Sequence, residues 1–260
     1  MTNNQVRLIP REAETYFPTA RFLSDEEQTR YEDSIKDYSG KARENLDVRS
    51  NLWKILQLNQ IGIQTATLPE LDLAIENGMN LKGHYEDGRE VILRSRRDSY
   101  ESNDHLAKDL ADRLDITNFE NSWIINGLGI RQDDDSSYGL AFVTDNAEVI
   151  EAPDFNHENN GKRFSRVNPD YSIDFDEQGA RAVYTRKNGL SRLGVVYGLY
   201  VYSDVDHLAD SHSLGRVVVI NPEGTQNFSE YISRLEKETA RQKAEIEERF
   251  NEAMAVLENK

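Results

Sequence analysis

Hydrophobic positions recur at helical spacing through the first half of the chain and as short runs or alternations through the second. Ser24 followed by Glu27 has the form of a capping box and opens a polar helix to about residue 38, with Tyr31, Ile35 and Tyr38 as a thin apolar stripe. Leu52, Ile55, Leu56, Leu58 and Ile61, with Trp53 alongside, cover a broad face that Gly62 ends, so this segment predicts a core helix. Thr67 with Glu70 forms a second capping box, Pro69 sits in the first turn, and Leu71, Ala74 and Ile75 face inward until Gly78. Leu106, Ala107, Leu110, Ala111 and Leu114 predict a further core helix over 103–114.

Strands are predicted at 91–94 after a Glu86-Asp87-Gly88 turn, and at 122–130, 138–144, 149–150, 171–175, 180–185, 193–202 and 216–220. Lys187-Asn188-Gly189 offers the positive φ of a tight hairpin, which pairs 180–185 with 193–202. The polar stretch 153–169, which holds Asn156, Asn159, Asn160 and Gly161, reads as either a mobile surface loop or a functional one. After Gly224 the pattern becomes helical again, capped by Asn227, with a stripe of Phe228, Ile232, Leu235, Thr239, Lys243, Ile246, Phe250, Ala253 and Leu257. Steps near 3.6 residues predict a straight helix of ~50 Å and not a supercoiled one.

These elements define an α+β fold: a mostly antiparallel sheet packed with several N-terminal helices, plus a long C-terminal amphipathic helix. Three parts are expected: an irregular arm and polar helix over 1–45, a single α+β core over 46–221, and the closing helix over 222–260.

Composition narrows the chemistry. With 47 acids against 31 bases the 260-residue chain carries a formal charge of −16, which disfavours nonspecific nucleic-acid binding and anionic lipid. Cysteine is absent, which excludes disulfides, thiolate zinc sites and cysteine nucleophiles and fits a reducing compartment. Residues 1–5 lack the pattern of a secretory signal, and the greasiest run, 193–201, is far short of the roughly 18 residues of a membrane span, so a cytoplasmic protein with no membrane association is expected.

Asp204, Asp206, His207, Asp210 and His212 form the densest ionisable cluster, and such oxygen and imidazole ligands suit a divalent cation such as Mn, Mg or Zn. Their spacing matches no motif, and turn formation and helix capping are the favoured explanation over a metal site. Arg94, Arg96 and Arg97 could grip a phosphate or carboxylate, since strand alternation puts Arg94 and Arg96 on one face. The nearby acids Asp98, Glu101 and Asp104 offer the simpler explanation of an internal ionic network.

Asp133-Asp134-Asp135-Ser136-Ser137 lacks the spaced ligands of a calcium loop and reads as a hairpin connection. Gly127-x-Gly129 lacks the third glycine of a dinucleotide fingerprint and reads as a bulge or a close backbone approach. Tyr197, Tyr200 and Tyr202, if near Trp123 and Tyr138, would form a stacking platform, although sheet packing produces the same pattern.

Two functions follow. The first is an intracellular interaction or scaffold protein that docks on a protein partner, or on itself, through Phe228, Ile232, Leu235, Ile246, Phe250 and Leu257. The alternative is a metal-assisted hydrolase or transferase for a phosphorylated or nucleotide-like substrate, with the arginines as anion clamp and the Asp/His cluster as metal centre.

Overall fold

Both capping boxes form. In the computed structural model, which describes residues 20–97, 100–211 and 215–220, Ser24 and Glu27 bond reciprocally at the head of α1 (Asp25–Ser34). After α2 (Gly40–Leu46), Asn51 caps α3 (Leu52–Gln60) by accepting from the Lys54 N–H. Thr67 and Glu70 repeat the reciprocal cap on α4 (Leu68–Glu76), and α5 spans Asp104–Arg113. Each cap satisfies backbone donors that the first helical turn leaves without partners.

The strands are β1 (Ala20–Phe22), β2 (Tyr85–Leu93), β3 (Trp123–Asn126), β4 (Gly129–Gln132), β5 (Leu140–Val143), β6 (Glu148–Glu151), β7 (Arg163–Val167), β8 (Ile173–Phe175), β9 (Arg181–Thr185), β10 (Leu190–Val196), β11 (Tyr200–Ser203) and β12 (Val218–Ile220). Eight make one sheet in the order β6-β3-β2-β10-β11-β9-β7-β8, antiparallel except for β11 beside β9. The pairs β1–β12 and β4–β5 are separate antiparallel ribbons. The described fold is therefore α+β with a mostly antiparallel sheet.

Side-chain alternation on β2 and β3 splits the interior in two. Val91, Leu93 and Ile125 pack with Tyr31, Leu46, Trp53 and Leu110 from α1, α2, α3 and α5. Ile92 and Ile124 point the opposite way and pack with Leu68, Leu71, Phe155 and Phe164. The β4–β5 ribbon closes the first core, with Phe142 stacked on Trp53 at 5.0 Å between ring centres.

Tyr31, Ile35, Ala42 and Leu46 are buried in the first core, and the compact unit spans Ala20–Ile220. Several expectations are corrected. Strands 180–185 and 193–202 do not pair as a hairpin. The latter folds at Tyr197 and Leu199, both with positive φ, and β11 inserts between β10 and β9. The expected strand 122–130 breaks at Gly127, sending β3 and β4 to different sheets. A Cβ at Gly127 would lie 2.2 Å from Asn146 O, which is the close approach the glycine permits. The stretch 153–169 buries Phe155 and contributes β7, so it is part of the second core.

The Glu86-Asp87-Gly88 triplet is strand and not turn, because distant partners satisfy its acids. Arg216 Nε and Nη2 donate to Glu86 Oε1 at 2.9 and 2.8 Å. Asp87 accepts from Arg192 Nη1 at 3.0 Å and from the Tyr85 hydroxyl at 2.5 Å. Two residues on, Glu90 Oε1 accepts from the Leu68 N–H at the head of α4 at 2.7 Å and from the Tyr171 hydroxyl at 2.8 Å. Burial pushes both Glu86 and Glu90 up to about 7.

The long C-terminal helix, with Phe228, Ile232, Leu235, Ile246, Phe250 and Leu257, lies outside the described residues. No helix among the described residues is long and apolar enough to cross a membrane.

Candidate functional site

One edge of the sheet gathers polar residues from six segments. Strands β2 and β11 both run antiparallel to β10, and β9 runs parallel to β11, so Arg94, Asp204 and Arg186 follow strand ends on the same side. The start of β10 brings Ser191 there, and the residue before β3 brings Ser122. Short 3-10 turns at Pro153–Phe155 and His157–Asn159 close the edge.

Arg94 is its centre. Its Nη1 donates to Ser191 Oγ and its Nη2 to Ser203 Oγ, each at 2.8 Å, while Nε and Nη2 reach Phe155 O at 3.4 and 3.3 Å. Both hydroxyls pass the network on: Ser191 Oγ donates to Ser203 O at 2.6 Å, and Ser203 Oγ to Tyr184 O at 3.0 Å. One planar guanidinium thereby fixes the ends of β2, β10 and β11 against the Phe155 turn, a geometry that an ammonium group could not reproduce. Ser122 and Thr185 tie the same turns down, the first through Asn156 Oδ1 and the second through Asn156 O and Asn160 Oδ1.

A cleft of about 330 Å³ opens over Arg94, lined also by Ser122, Asn156, His157, Glu158 and Lys187. Burial holds the Asp204 carboxyl above its ordinary range, against the opposing pull of Arg94 and Arg186. Arg186 Nη1 lies 3.0 Å from Asp206 Oδ2. Chemically the edge offers cations and hydroxyls for an anion, with imidazole and carboxylate groups nearby for proton transfer.

The two charged clusters of the sequence thus meet only in part. Arg94 adjoins Ser203 and Asp204, but β2 ends at Leu93, so strand alternation does not carry Arg96 to the same face. Arg96 instead pairs with Asp112 on α5, the ionic partner being on a helix and not among the three acids nearest in sequence. Arg97 is exposed. Asp206 faces Arg186, Asp210 Oδ2 lies 3.3 Å from Arg192 Nη2, and the His207 ring packs against Tyr100 and Tyr138. His212 lies outside the described residues. Among the described residues no group of three His, Asp or Glu side chains is arranged to hold a metal ion.

The tyrosines of β11 do not gather with Trp123 and Tyr138 but pack on Tyr184 of β9. Tyr184 lies 4.9 Å from Tyr202 and 5.8 Å from Tyr200, whereas Trp123 is three strands away and Tyr138 packs 5.5 Å from Trp53 in the first core. Sequence reasoning placed Asn156 in the 153–169 stretch without a specific role, gave Ser191 no role, and did not single out Ser203 or Ser122. Ser122, Ser191 and Ser203 are polar residues buried at or next to strand termini, a placement that becomes informative only once the strand order is known.

The fold class is therefore an α+β body with a curled, mostly antiparallel sheet whose polar edge is braced by a buried arginine. No protein-family model, curated protein or solved structure matches the chain.

Proposed function

We propose that the chain is an intracellular interaction or scaffold protein whose α+β body carries a C-terminal amphipathic helix for docking on a protein partner or on a second copy. The observation that supports this reading is how the body uses its charged groups. Arg94 braces three strand ends, Arg96 pairs with Asp112, Asp206 with Arg186, and Arg192 with Asp87 and Asp210. Side chains that would carry chemistry serve as cross-ties of a stiff carrier, and the apolar stripe from Phe228 to Leu257 is the surface it would present. The cysteine-free composition fits a reducing cytoplasm.

The test uses the full chain. Sedimentation equilibrium on the wild type and on Leu235→Glu with Ile246→Glu is expected to give a concentration-dependent dimer and a monomer, respectively. Equal masses for the two proteins remove self-association through this helix. Partner docking is checked separately by cross-linking in the cell of origin, where the double variant should lose adducts that the wild type forms.

A second reading, catalysis on a phosphorylated or nucleotide-like substrate, is favoured by the cleft that places Arg94 beside His157 and Lys187. It predicts that Mn, Mg or Zn together with inorganic phosphate raises the melting temperature of the wild type and not of His157→Ala with Lys187→Ala. Identical melting with and without these ions rejects it.

A further inference from the structure

The chain contains four Asn-Gly pairs, at Asn77, Asn126, Asn160 and Asn188. Asn-Gly is the dipeptide in which the following backbone nitrogen most easily attacks the asparagine side chain, because glycine places no Cβ in its way. The fold treats the four pairs differently. Gly78 N donates to Ile75 O at 3.0 Å and Gly161 N to Val183 O at 2.8 Å. Gly189 N donates to Ser95 Oγ at 2.8 Å. In these three turns the nitrogen is anchored to a group other than its own asparagine and must break that bond before it can react.

Asn126 is the exception. Gly127 N points at the carboxamide of its own predecessor, 2.8 Å from Asn126 Oδ1. The hydrogen bond holds the nitrogen beside the carboxamide and polarises its C=O, so that once base removes the Gly127 amide proton the nucleophile already stands next to Asn126 Cγ. Gly127 is also exposed, so water reaches the site. Its left-handed φ of 72° and the 2.2 Å approach of Asn146 O to a would-be Cβ keep this turn in place.

We propose that Asn126 is a site of spontaneous covalent modification, at which this chain deamidates in its folded state. The Gly127 nitrogen forms a bond to Asn126 Cγ, and the Cγ–Nδ2 bond breaks. The displaced nitrogen leaves as ammonia, carrying the proton lost from the Gly127 amide. The resulting succinimide is opened by water at either carbonyl, giving aspartate or isoaspartate, with no oxidant or reductant involved.

The product changes a defined surface. Asn126, Asn146, Gln60 and Arg89 line a cleft of about 500 Å³ over Leu56 and Leu128. Deamidation places a carboxylate in that cleft, with Arg89 to attract it and Asp145 to oppose it. Across the ladder Asn126 pairs with Glu148 in the register of β3 and β6, so the new charge also faces a like charge there. The isoaspartate form adds a backbone methylene at the end of β3 and breaks that register.

The experiment is peptide mapping by mass spectrometry on the full-length wild type held at pH 8 and 37 °C, with a parallel sample in urea. Unfolded, all four sites react at rates set by local sequence. Folded, conversion at Asn77, Asn160 and Asn188 is expected to slow on the order of tenfold or more, since local opening must come first. Conversion at Asn126 should match or exceed its rate in urea, and Asn126→Gln should abolish it while leaving the other three unchanged. The proposal is overturned if Asn126 is slowed as much as the others, or if Asn188 converts first in the folded protein.

Discussion

Replacing Glu90 by Gln should make the protein more stable at neutral and mildly alkaline pH, contrary to the usual cost of altering a buried, hydrogen-bonded carboxyl. Glu90 Oε1 carries both contacts of the side chain, from Leu68 N and Tyr171 Oη. Its Oε2 has no partner among the described residues and lies against Gly88, where a Cβ would stand 2.3 Å away. Glutamine keeps the accepting oxygen and puts an amide where Oε2 was. Burial raises the group from its ordinary 4.5 to about 7, and the sign follows from linkage. An acid whose folded value is raised contributes its stability below the unfolded value and loses it as pH rises through the folded one.

The window therefore runs from 4.5 to about 7, and the loss across it is about 3 kcal/mol. Glu90→Gln should recover that amount at pH 8 and almost nothing below pH 4.5. For a unit of this size the gain corresponds to roughly 6–12 °C in melting temperature. Glu86 titrates in the same range but is common to both proteins, so the difference between wild type and variant isolates Glu90. Urea titrations at pH 5 and pH 8 measure it. A variant less stable than wild type at pH 8, or a stability gap that is the same at both pH values, would refute the argument.

Three further outcomes follow from packing and pairing. Arg94→Met should cost roughly 2–4 kcal/mol, because Ser191, Ser203 and the Phe155 carbonyl lose a buried charged donor, and Arg94→Lys should recover little of it, as read by urea denaturation with unchanged m value. Asp87→Ala removes the buried partner of Arg192, leaving it the exposed Asp210 as ionic partner, and should cost about 3–5 kcal/mol, while Asp87→Leu combined with Arg192→Met should cost much less, a double-mutant cycle being the readout. Phe142→Ala removes the ring stacked on Trp53 and should cost about 3–5 kcal/mol, seen as an earlier thermal transition together with a changed tryptophan emission.

How far the chain could be read depended on the range of the interactions involved. Helices α1, α3, α4 and α5 were visible because their signals are local: Ser24 with Glu27, Thr67 with Glu70, and apolar spacing within ten residues. The Asp133–Ser137 connection between β4 and β5 was legible for the same reason. The strand through Glu86, Asp87 and Gly88 was not, since its acids are satisfied by Arg216 and Arg192, more than a hundred residues away. Pairing of β9 failed likewise, because Asn188-Gly189 is a good hairpin turn locally, and only the insertion of β11 shows that it joins strands that are not neighbours. Of the candidate site, Arg94 and Asp204 could be named in advance, but the serines that position Arg94 could not.

The acids of β2 have a consequence for how the chain is made. β2 lies in the middle of the sheet, yet its carboxylates find their partners in Tyr171, Arg192 and Arg216, and β1 closes against β12 at Val218–Ile220. During synthesis the first two hundred residues emerge with Tyr171 and Arg192 available to Glu90 and Asp87, but with Glu86 in the same strand still lacking Arg216. The nascent chain should therefore stay sensitive to protease until the residues around Arg216 clear the ribosome, and then acquire its core in one late step.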